Sequence, residues 1–299
     1  MFSKIIAFFT TIIYTILNFF GLGGIIGGID SSDAYAYANL AYGKEERQFV
    51  DLAIPKDNDG EVGLVLYIHG GAWISGDKDI YTDFVGSCAN DLGYAAAALN
   101  YRYLDEDVDL NDIADDIDAA LSVIKAKGQE KGVNINKVLL TGSSAGAHLA
   151  MFYAYSRKDT APITPAAVCS FCGPTDLYDD NFYYESALGD TQTVCGLMSL
   201  ACGQSFTIDS KDSAKEALAR VSPVTYVNKG TVPTIICHGE KDNVVPYSNA
   251  LSIVEKLEQY GVAYDFISYP NSDHGLANDP ECAEKANNLL FEYAAKYLK

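Results

Sequence analysis

A serine in this sequence stands where it could act as a nucleophile. The segment GSSAG, centred on Ser144, matches the pattern G-x-S-x-G, follows the apolar run 138–141 and precedes the helical pattern 147–156. A nucleophile on a sharp strand-to-helix turn requires small neighbours two residues away on each side, and Gly142 and Gly146 supply them. We therefore predict that Ser144 lies on such a turn and attacks a carbonyl carbon.

A catalytic serine also needs a base that accepts its proton and an acid that orients the base. His274 lies in a loop between the last predicted strand and the last predicted helix, from which its ring can reach the serine. Asp242 follows the penultimate predicted strand, which gives the chain order Ser, Asp, His expected for this arrangement. We predict His274 as the base and Asp242 as the acid, whereas His148 is expected to pack within its helix. The other candidate acids are Asp176, Asp265 and Asp273.

Backbone donors for an oxyanion are expected in the segment HGGAW, which follows the first predicted strand. Glycine allows the backbone to approach a substrate closely, so the N–H groups of Gly70, Gly71 and Ala72 can donate to a developing oxyanion. The N–H of Ala145, next to the nucleophile, completes this oxyanion hole. A simple glycine turn is the alternative. Trp73 is expected to pack beneath the loop.

The elements that position these residues follow an alternating pattern. After residue 40, short apolar runs alternate with helical patterns, which predicts an α/β fold with a mostly parallel central sheet and helices on both faces. The predicted strands are 62–68, 94–100, 138–141, 166–171, 234–237 and 264–269. The predicted helices are 80–92, 111–127, 147–156, 249–260 and 281–298.

Residues 176–222 interrupt this alternation. They contain tyrosines, glycines and two cysteines but no clear strand, which predicts a small cap inserted over the carboxyl ends of the strands. An ordinary long connection is the alternative. If the domain is exported, Cys195 and Cys202 of this segment are the pair expected to form a disulfide.

Composition and charge exclude some functions. The chain has 299 residues, 48% of them hydrophobic, and a formal net charge of −19. This charge repels a phosphate backbone and no basic run opposes it, so nucleic acid is excluded as a partner. Cys169 and Cys172 have C-x-x-C spacing without a second such pair, which favours two buried thiols over a zinc site. We predict neither a metal nor a cofactor.

The amino-terminal segment predicts export. Residues 5–29 carry no charged side chain and are long enough to cross a bilayer of about 30 Å. Lys4 precedes the segment and acidic residues follow it, which favours an exported domain. The tripeptides A-x-A at 34–36 and 36–38 are typical of signal-peptidase sites. We therefore predict a signal peptide or membrane anchor over 1–38 and a catalytic domain over 39–299.

The motifs HGGAW, GSSAG, HGEKDNVVP and SDHG occur in this order, and with them the chain resembles the α/β-hydrolase superfamily over nearly all of residues 43–299. Segments 51–55 and 99–102 make it similar to the bacterial esterase/lipase-like group, which includes hormone-sensitive-lipase-type, feruloyl and acetylxylan esterases. The resemblance implies the same triad of Ser144, Asp242 and His274. Ala72 stands where the related HGGG motif has its third glycine. This departure implies a narrower substrate site on the acyl or the alcohol side.

Motifs and resemblance together predict a serine carboxylic ester hydrolase that works through an acyl-enzyme without a cofactor. Expected export, and tyrosines suited to sugar or phenolic rings in the insertion, favour acetyl or feruloyl groups on plant polysaccharide as substrates. One alternative is an arylformamidase-type amide hydrolase, since these enzymes have a similar H-G-G-x-W pattern. The other is a non-catalytic binding module with a hydrolase fold.

Overall fold

The computed structural model describes residues 32–299. Strands in this range form one eight-stranded sheet: β1 (Ala34–Ala41), β2 (Phe49–Pro55), β3 (Leu64–Ile68), β4 (Ala95–Leu99), β5 (Lys137–Ser143), β6 (Thr164–Phe171), β7 (Thr234–Gly239) and β8 (Tyr264–Tyr269). Their order is β1-β2-β4-β3-β5-β6-β7-β8. The pairs β1–β2 and β2–β4 are antiparallel, and every other neighbouring pair is parallel. The carboxyl ends of β3 to β8 therefore meet at one edge.

Helices connect the strands and cover the sheet. The α-helices in the described range are α1 (Thr82–Asn90), α2 (Leu110–Glu130), α3 (Ala145–Ser156), α4 (Asp180–Tyr184), α5 (Thr191–Cys202), α6 (Lys215–Arg220), α7 (Ser248–Tyr260) and α8 (Pro280–Tyr297). Short 3₁₀ helices occupy Lys78–Tyr81, Ile208–Ala214 and Pro223–Tyr226.

Both faces of the sheet are buried, because successive side chains of a strand point to opposite faces. On β3, Leu66 and Ile68 pack in a core cluster with residues of α2, α3 and α7. Val65 packs with residues of α8 on the other face, and Tyr67 packs with residues of α1. The predicted α/β class, with a mostly parallel sheet and helices on both faces, is confirmed.

Six predicted strands correspond to β3 through β8, whereas β1 and β2 were not predicted. β1 contains both A-x-A tripeptides, and its residues Ala34 and Tyr37 pair with Pro55 and Leu52 of β2. The predicted domain boundary after residue 38 thus falls inside β1. The apolar segment 5–29 lies outside the described residues. Across 32–299, none of the helices is both long and apolar enough to cross a membrane.

The insertion between β6 and β7 is helical. It contains α4, α5, α6 and a 3₁₀ helix rather than irregular chain. Cys195 and Cys202 both lie in α5, seven residues apart, which separates them by about 10 Å along the helix axis. A disulfide requires Cα atoms within about 7 Å, so the predicted Cys195–Cys202 disulfide is wrong. All seven cysteines are free thiols, and Cys169 and Cys172 are buried as predicted.

A buried ion pair fixes the chain that follows the HGGAW loop. The ammonium of Lys78 lies 3.0 Å from the Asp51 carboxylate of β2, and both side chains are almost fully buried. Burial alone lowers the pKa of Lys78, but hydrogen bonds to Asp79 and Asp51 raise it above its ordinary value. The Lys78 backbone N–H also donates to the side chain of Asn100, after β4. This segment is therefore attached to two strands.

We expect Lys78→Met to lower the free energy of unfolding by about 3 kcal/mol, because it leaves the Asp51 carboxylate buried without its cation. Urea denaturation measures the change. The double variant Lys78→Met/Asp51→Asn is the control. It removes the unpaired carboxylate charge and should recover part of the lost free energy of unfolding. A single variant as stable as the wild type would contradict this role of the ion pair.

Candidate active site

Ser144 occupies a strained turn between β5 and α3. Its backbone φ of 54° and ψ of −122° lie outside the regions that residues with a Cβ prefer. The turn also presses against the end of β3: a Cβ built on Gly146 would lie 2.0 Å from the Ile68 carbonyl oxygen, and one on Gly142 would lie 2.5 Å from it. Only glycine fits at both positions, which is the predicted reason for the G-x-S-x-G spacing.

Asp242 and His274 are in direct contact, although 32 residues separate them in the chain. The Nδ1 of His274 lies 2.7 Å from Oδ2 of Asp242. An ionised carboxylate only accepts hydrogen bonds, so Nδ1 carries the proton and Nε2 is the basic nitrogen. Nε2 is buried and has no hydrogen-bond partner in the described chain. It is therefore available to take a proton from a hydroxyl group.

The Asp242 carboxylate is surrounded by donors. Its Oδ1 accepts the backbone N–H groups of Val244 and Val245, each at 2.9 Å. Its Oδ2 also lies 3.2 Å from Nε2 of His238, at the end of β7. Burial alone would raise the pKa of Asp242, but the interactions with His274 and His238 hold this pKa well below its ordinary value. The acid therefore stays ionised at neutral pH.

A small cavity joins the serine to the loop that carries the acid. Ser144 and Ala145 line one part of its wall, and Val244 and Val245 line another. These two valines are the residues whose N–H groups bind Asp242. The structure thus brings the predicted nucleophile to the same cavity as the loop that holds Asp242.

The HGGAW loop has an unusual backbone. Gly71, Ala72 and Trp73 all have positive φ, of 118°, 51° and 61°. A Cβ on Gly71 would lie 2.2 Å from the carbonyl oxygen of Ser75, so an alanine does not fit there. Ala145 is the first residue of α3, where a backbone N–H has no acceptor within its own helix. Ala72 of this loop and Ala145 line the same cavity as Ser144, so both lie next to the predicted nucleophile.

His69, at the start of the loop, is locked in one neutral form. Its Nε2 lies 3.4 Å from the guanidinium of Arg47, which can only donate, so Nδ1 carries the proton and donates to the Gly70 carbonyl at 2.8 Å. Burial lowers the pKa of His69 to about 4. The ring of Tyr101 stacks on it, and the Tyr101 hydroxyl donates to the His69 carbonyl. These contacts support the loop from below.

Among the described residues, the side chains of the alternative acids form no hydrogen bond or ion pair with a histidine. Asp176 and Asp273 each accept a backbone N–H two residues further along the chain, and Asp265 accepts the Tyr293 hydroxyl. His148 is buried and donates to the Val221 carbonyl from within α3, as a packing residue would. Trp73 is buried in the core, as predicted, and also lines the cavity at Ser144.

Sequence reasoning missed several supporting residues. Arg47 contacts His69 across the fold, and no motif includes it. His238 begins the HGEKDNVVP motif, which does not by itself show that this ring lies 3.2 Å from the Asp242 carboxylate. Cys172, which follows β6, lies close to both His238 and Asp242: their potential ligand atoms are within 4.8 Å of one another. Such a cluster can hold a metal, but His238 already contacts the Val245 carbonyl and Asp242 its own donors. These groups therefore serve the acid.

Comparison with protein families gives two matches. The sequence model of the BD-FAE family matches residues 50–257, more than half of the chain. The model of the dienelactone hydrolase family matches residues 217–299.

Curated relatives are distant and longer. A probable isoprenylcysteine alpha-carbonyl methylesterase of Arabidopsis thaliana is 23% identical over 80% of this chain and 51% of its own length. The probable carboxylic ester hydrolase LipM of Mycobacterium tuberculosis is 27% identical over 75% of this chain and 52% of its own. The chain thus spans about half the length of these relatives.

Solved structures share the fold. A truncated carbohydrate esterase from gut microbiota has a TM-score of 0.71 at 19% identity, covering 90% of this chain and 99% of that chain. Esterase B from Lactobacillus rhamnosis has a TM-score of 0.72 at 21% identity, covering 98% of this chain and 94% of that chain. The fold is that of the α/β-hydrolase esterase/lipase-like group.

Asp242 contacts His274 in space, whereas Asp273 precedes it in the chain. Variants at these two positions therefore give a matched test of the acid. We expect Asp242→Asn to lower kcat/KM for an ester by about 10⁴-fold, because the amide no longer holds His274 in its reactive tautomer. Asp273→Asn, next to His274 in the chain, is expected to keep most of the activity, because its carboxylate bonds only to the backbone of its own loop. Steady-state kinetics of both variants measure the difference. Equal losses would argue against Asp242 as the acid.

Proposed function

The chain belongs to the BD-FAE family, and we propose that it is a serine carboxylic ester hydrolase that acts through an acyl-enzyme. One observation carries this proposal: Asp242 pairs with His274, whose basic nitrogen has no partner in the described residues, and the loop that holds Asp242 lines the same cavity as a serine on a strained turn. A triad of this kind supports nucleophilic attack on a carbonyl.

In the first step of the proposed reaction, Ser144 attacks the ester carbonyl while its proton passes to Nε2 of His274. The tetrahedral oxyanion accepts hydrogen bonds from the HGGAW loop and from the Ala145 N–H. The intermediate collapses, the bond to the alcohol oxygen breaks, and His274 protonates the departing alcohol. Asp242 stabilises the imidazolium throughout.

In the second step, water takes the place of the alcohol. His274 accepts a proton from this water as its oxygen attacks the acyl-enzyme carbonyl. The new intermediate releases Ser144, which regains its proton from His274, and the carboxylic acid leaves. The cycle consumes one water for each ester and needs no cofactor.

Acetyl or feruloyl groups on plant polysaccharide are the substrates we propose for this site. The likeness in fold to a carbohydrate esterase from gut microbiota supports a saccharide ester. The exposed Tyr184 and the half-buried Tyr178 of the insertion offer aromatic surfaces for sugar or phenolic rings.

Export is also part of the proposal. The uncharged segment 5–29, with Lys4 before it, supports a domain outside the cytoplasm. A cut after residue 36 or 38 would remove paired residues of β1, which supports an uncut membrane anchor over a signal peptide cut at these sites.

The serine assignment is tested with p-nitrophenyl esters, methyl ferulate, acetylated xylan and N-formylkynurenine. We expect Ser144→Ala to lower ester hydrolysis by at least about 10⁴-fold, because the nucleophile is lost. Ser143→Ala is the matched control, since this neighbouring hydroxyl interacts with Tyr67 and Tyr81 rather than with Asp242 or His274, and it should stay active. Labelling with a fluorophosphonate probe should follow the same pattern.

Three results would contradict the proposal. An active Ser144→Ala enzyme would exclude the serine mechanism. A folded wild type that hydrolyses no ester and takes no label would favour the non-catalytic module, and cleavage of N-formylkynurenine alone would favour the amide hydrolase.

The anchor is tested by fractionation of bacterial cells that express the full chain. We expect esterase activity in the membrane fraction, released by detergent, with an intact amino terminus by mass spectrometry. A variant that lacks residues 5–29 is the control and should be found in the soluble fraction. Soluble, full-length enzyme from the unaltered chain would contradict the anchor.

A further inference from the structure

The cavity at Ser144 is almost entirely apolar. Apart from the serine, its wall consists of Ala72, Trp73, Ala145, Pro174, Phe182, Leu188, Val244 and Val245. Phe182 and Leu188 come from the helical insertion and are buried. The insertion therefore closes the space beside the nucleophile with hydrocarbon.

The lining identifies which half of an ester would enter this cavity. A departing alcohol must receive its proton from His274, so it has to lie next to that ring. The cavity is lined by Ser144 and the oxyanion segment at Ala72 and Ala145, but His274 is not part of its wall. A group in this space, which His274 does not line, lies against the serine and the residues Ala72 and Ala145 and is therefore the acyl chain.

The cavity is small. The space in which the centre of a water molecule fits measures about 10 Å³, which is close to the minimum for one water. A methyl group is about the size of a water molecule, so the methyl of an acetyl group fits. A butyryl chain or a feruloyl ring is larger and would fit only if the residues of the wall moved apart.

The wall is firmly attached. The Ser186 hydroxyl donates to the Val244 carbonyl at 2.7 Å, and the Ala187 N–H donates to the Asn243 carbonyl at 2.6 Å. These bonds join the turn before Leu188 to the loop that Asp242 holds. A shift of Leu188 away from the cavity would also move the loop that holds the catalytic acid. The cavity therefore cannot widen on this side without disturbing Asp242.

We propose that this cavity binds the acyl group and limits it to acetyl, and that Phe182 and Leu188 set this limit. The proposal rests on the proposed esterase activity and narrows it: the substrate is an acetyl ester, and feruloyl esters are excluded by size. The alcohol side, next to His274, carries the rest of the substrate.

The test compares p-nitrophenyl acetate, butyrate and hexanoate with methyl ferulate. For the wild type we expect kcat/KM to fall by at least about 10-fold from acetate to butyrate, the usual discrimination for extra methylenes in a tight pocket. Leu188→Ala and Phe182→Ala should each raise the ratio of butyrate to acetate by at least about 10-fold, because they lengthen the cavity.

Leu251→Ala is the matched control, because this leucine is 49% exposed on α7 and does not line the cavity. It should leave the chain-length profile unchanged. If either alanine variant fails to fold, as judged by circular dichroism, Leu188→Val or Phe182→Leu makes a smaller change and should move the ratio in the same direction.

Three results would overturn the proposal. A wild type that prefers butyrate or ferulate, with activity lost in Ser144→Ala, would exclude the acetyl limit while the esterase assignment stands. Unchanged profiles in folded variants at 182 and 188 would exclude these residues as the limiting wall. A wild type without any esterase activity would remove the proposed function itself, and the acetyl limit with it.

Discussion

The contact between the turn at Ser144 and the end of β3 determines the geometry of the whole site. Gly142 pairs with Ile68 across the β3–β5 ladder, and Gly146 approaches the same carbonyl so closely that no side chain fits between them. The HGGAW loop begins directly after Ile68. One backbone contact therefore sets the distance between the nucleophile and the oxyanion donors, and the ladder register prevents either from shifting alone.

The Asp242 carboxylate has a similar role on the other side of the site. One oxygen closes its own loop through Val244 and Val245, and the other orients His274 and contacts His238. The insertion is hydrogen-bonded to this loop. The buried carboxylate of Asp242 therefore positions the base, its own loop and one wall of the acyl cavity. Such a fully satisfied network holds one geometry, whereas a partly satisfied one would be strongly destabilising.

The sequence predicted those elements whose structure depends on residues close together in the chain. The strands β3 to β8 are short apolar runs, and the serine turn is encoded by its own glycines, so both could be recognised from neighbouring residues. β1 is a half-exposed edge strand without a continuous apolar run, and it was missed. The insertion at 176–222 was predicted but its helices were missed, and with them the distance that separates Cys195 from Cys202. The contact of Arg47 with His69 joins residues 22 positions apart, so only the fold reveals it.

The positive φ angles of Ala72, Trp73 and Ser144 have a consequence for how this sequence can change over time. Each such angle in a residue with a Cβ costs on the order of 1–3 kcal/mol, a large fraction of the net stability of a typical domain. Glycine at one of these positions would relieve the strain, and at position 144 it would also abolish the chemistry. Selection for thermal stability alone would therefore favour replacement of these residues, including the proposed nucleophile. Only selection for the reaction preserves the strained conformations.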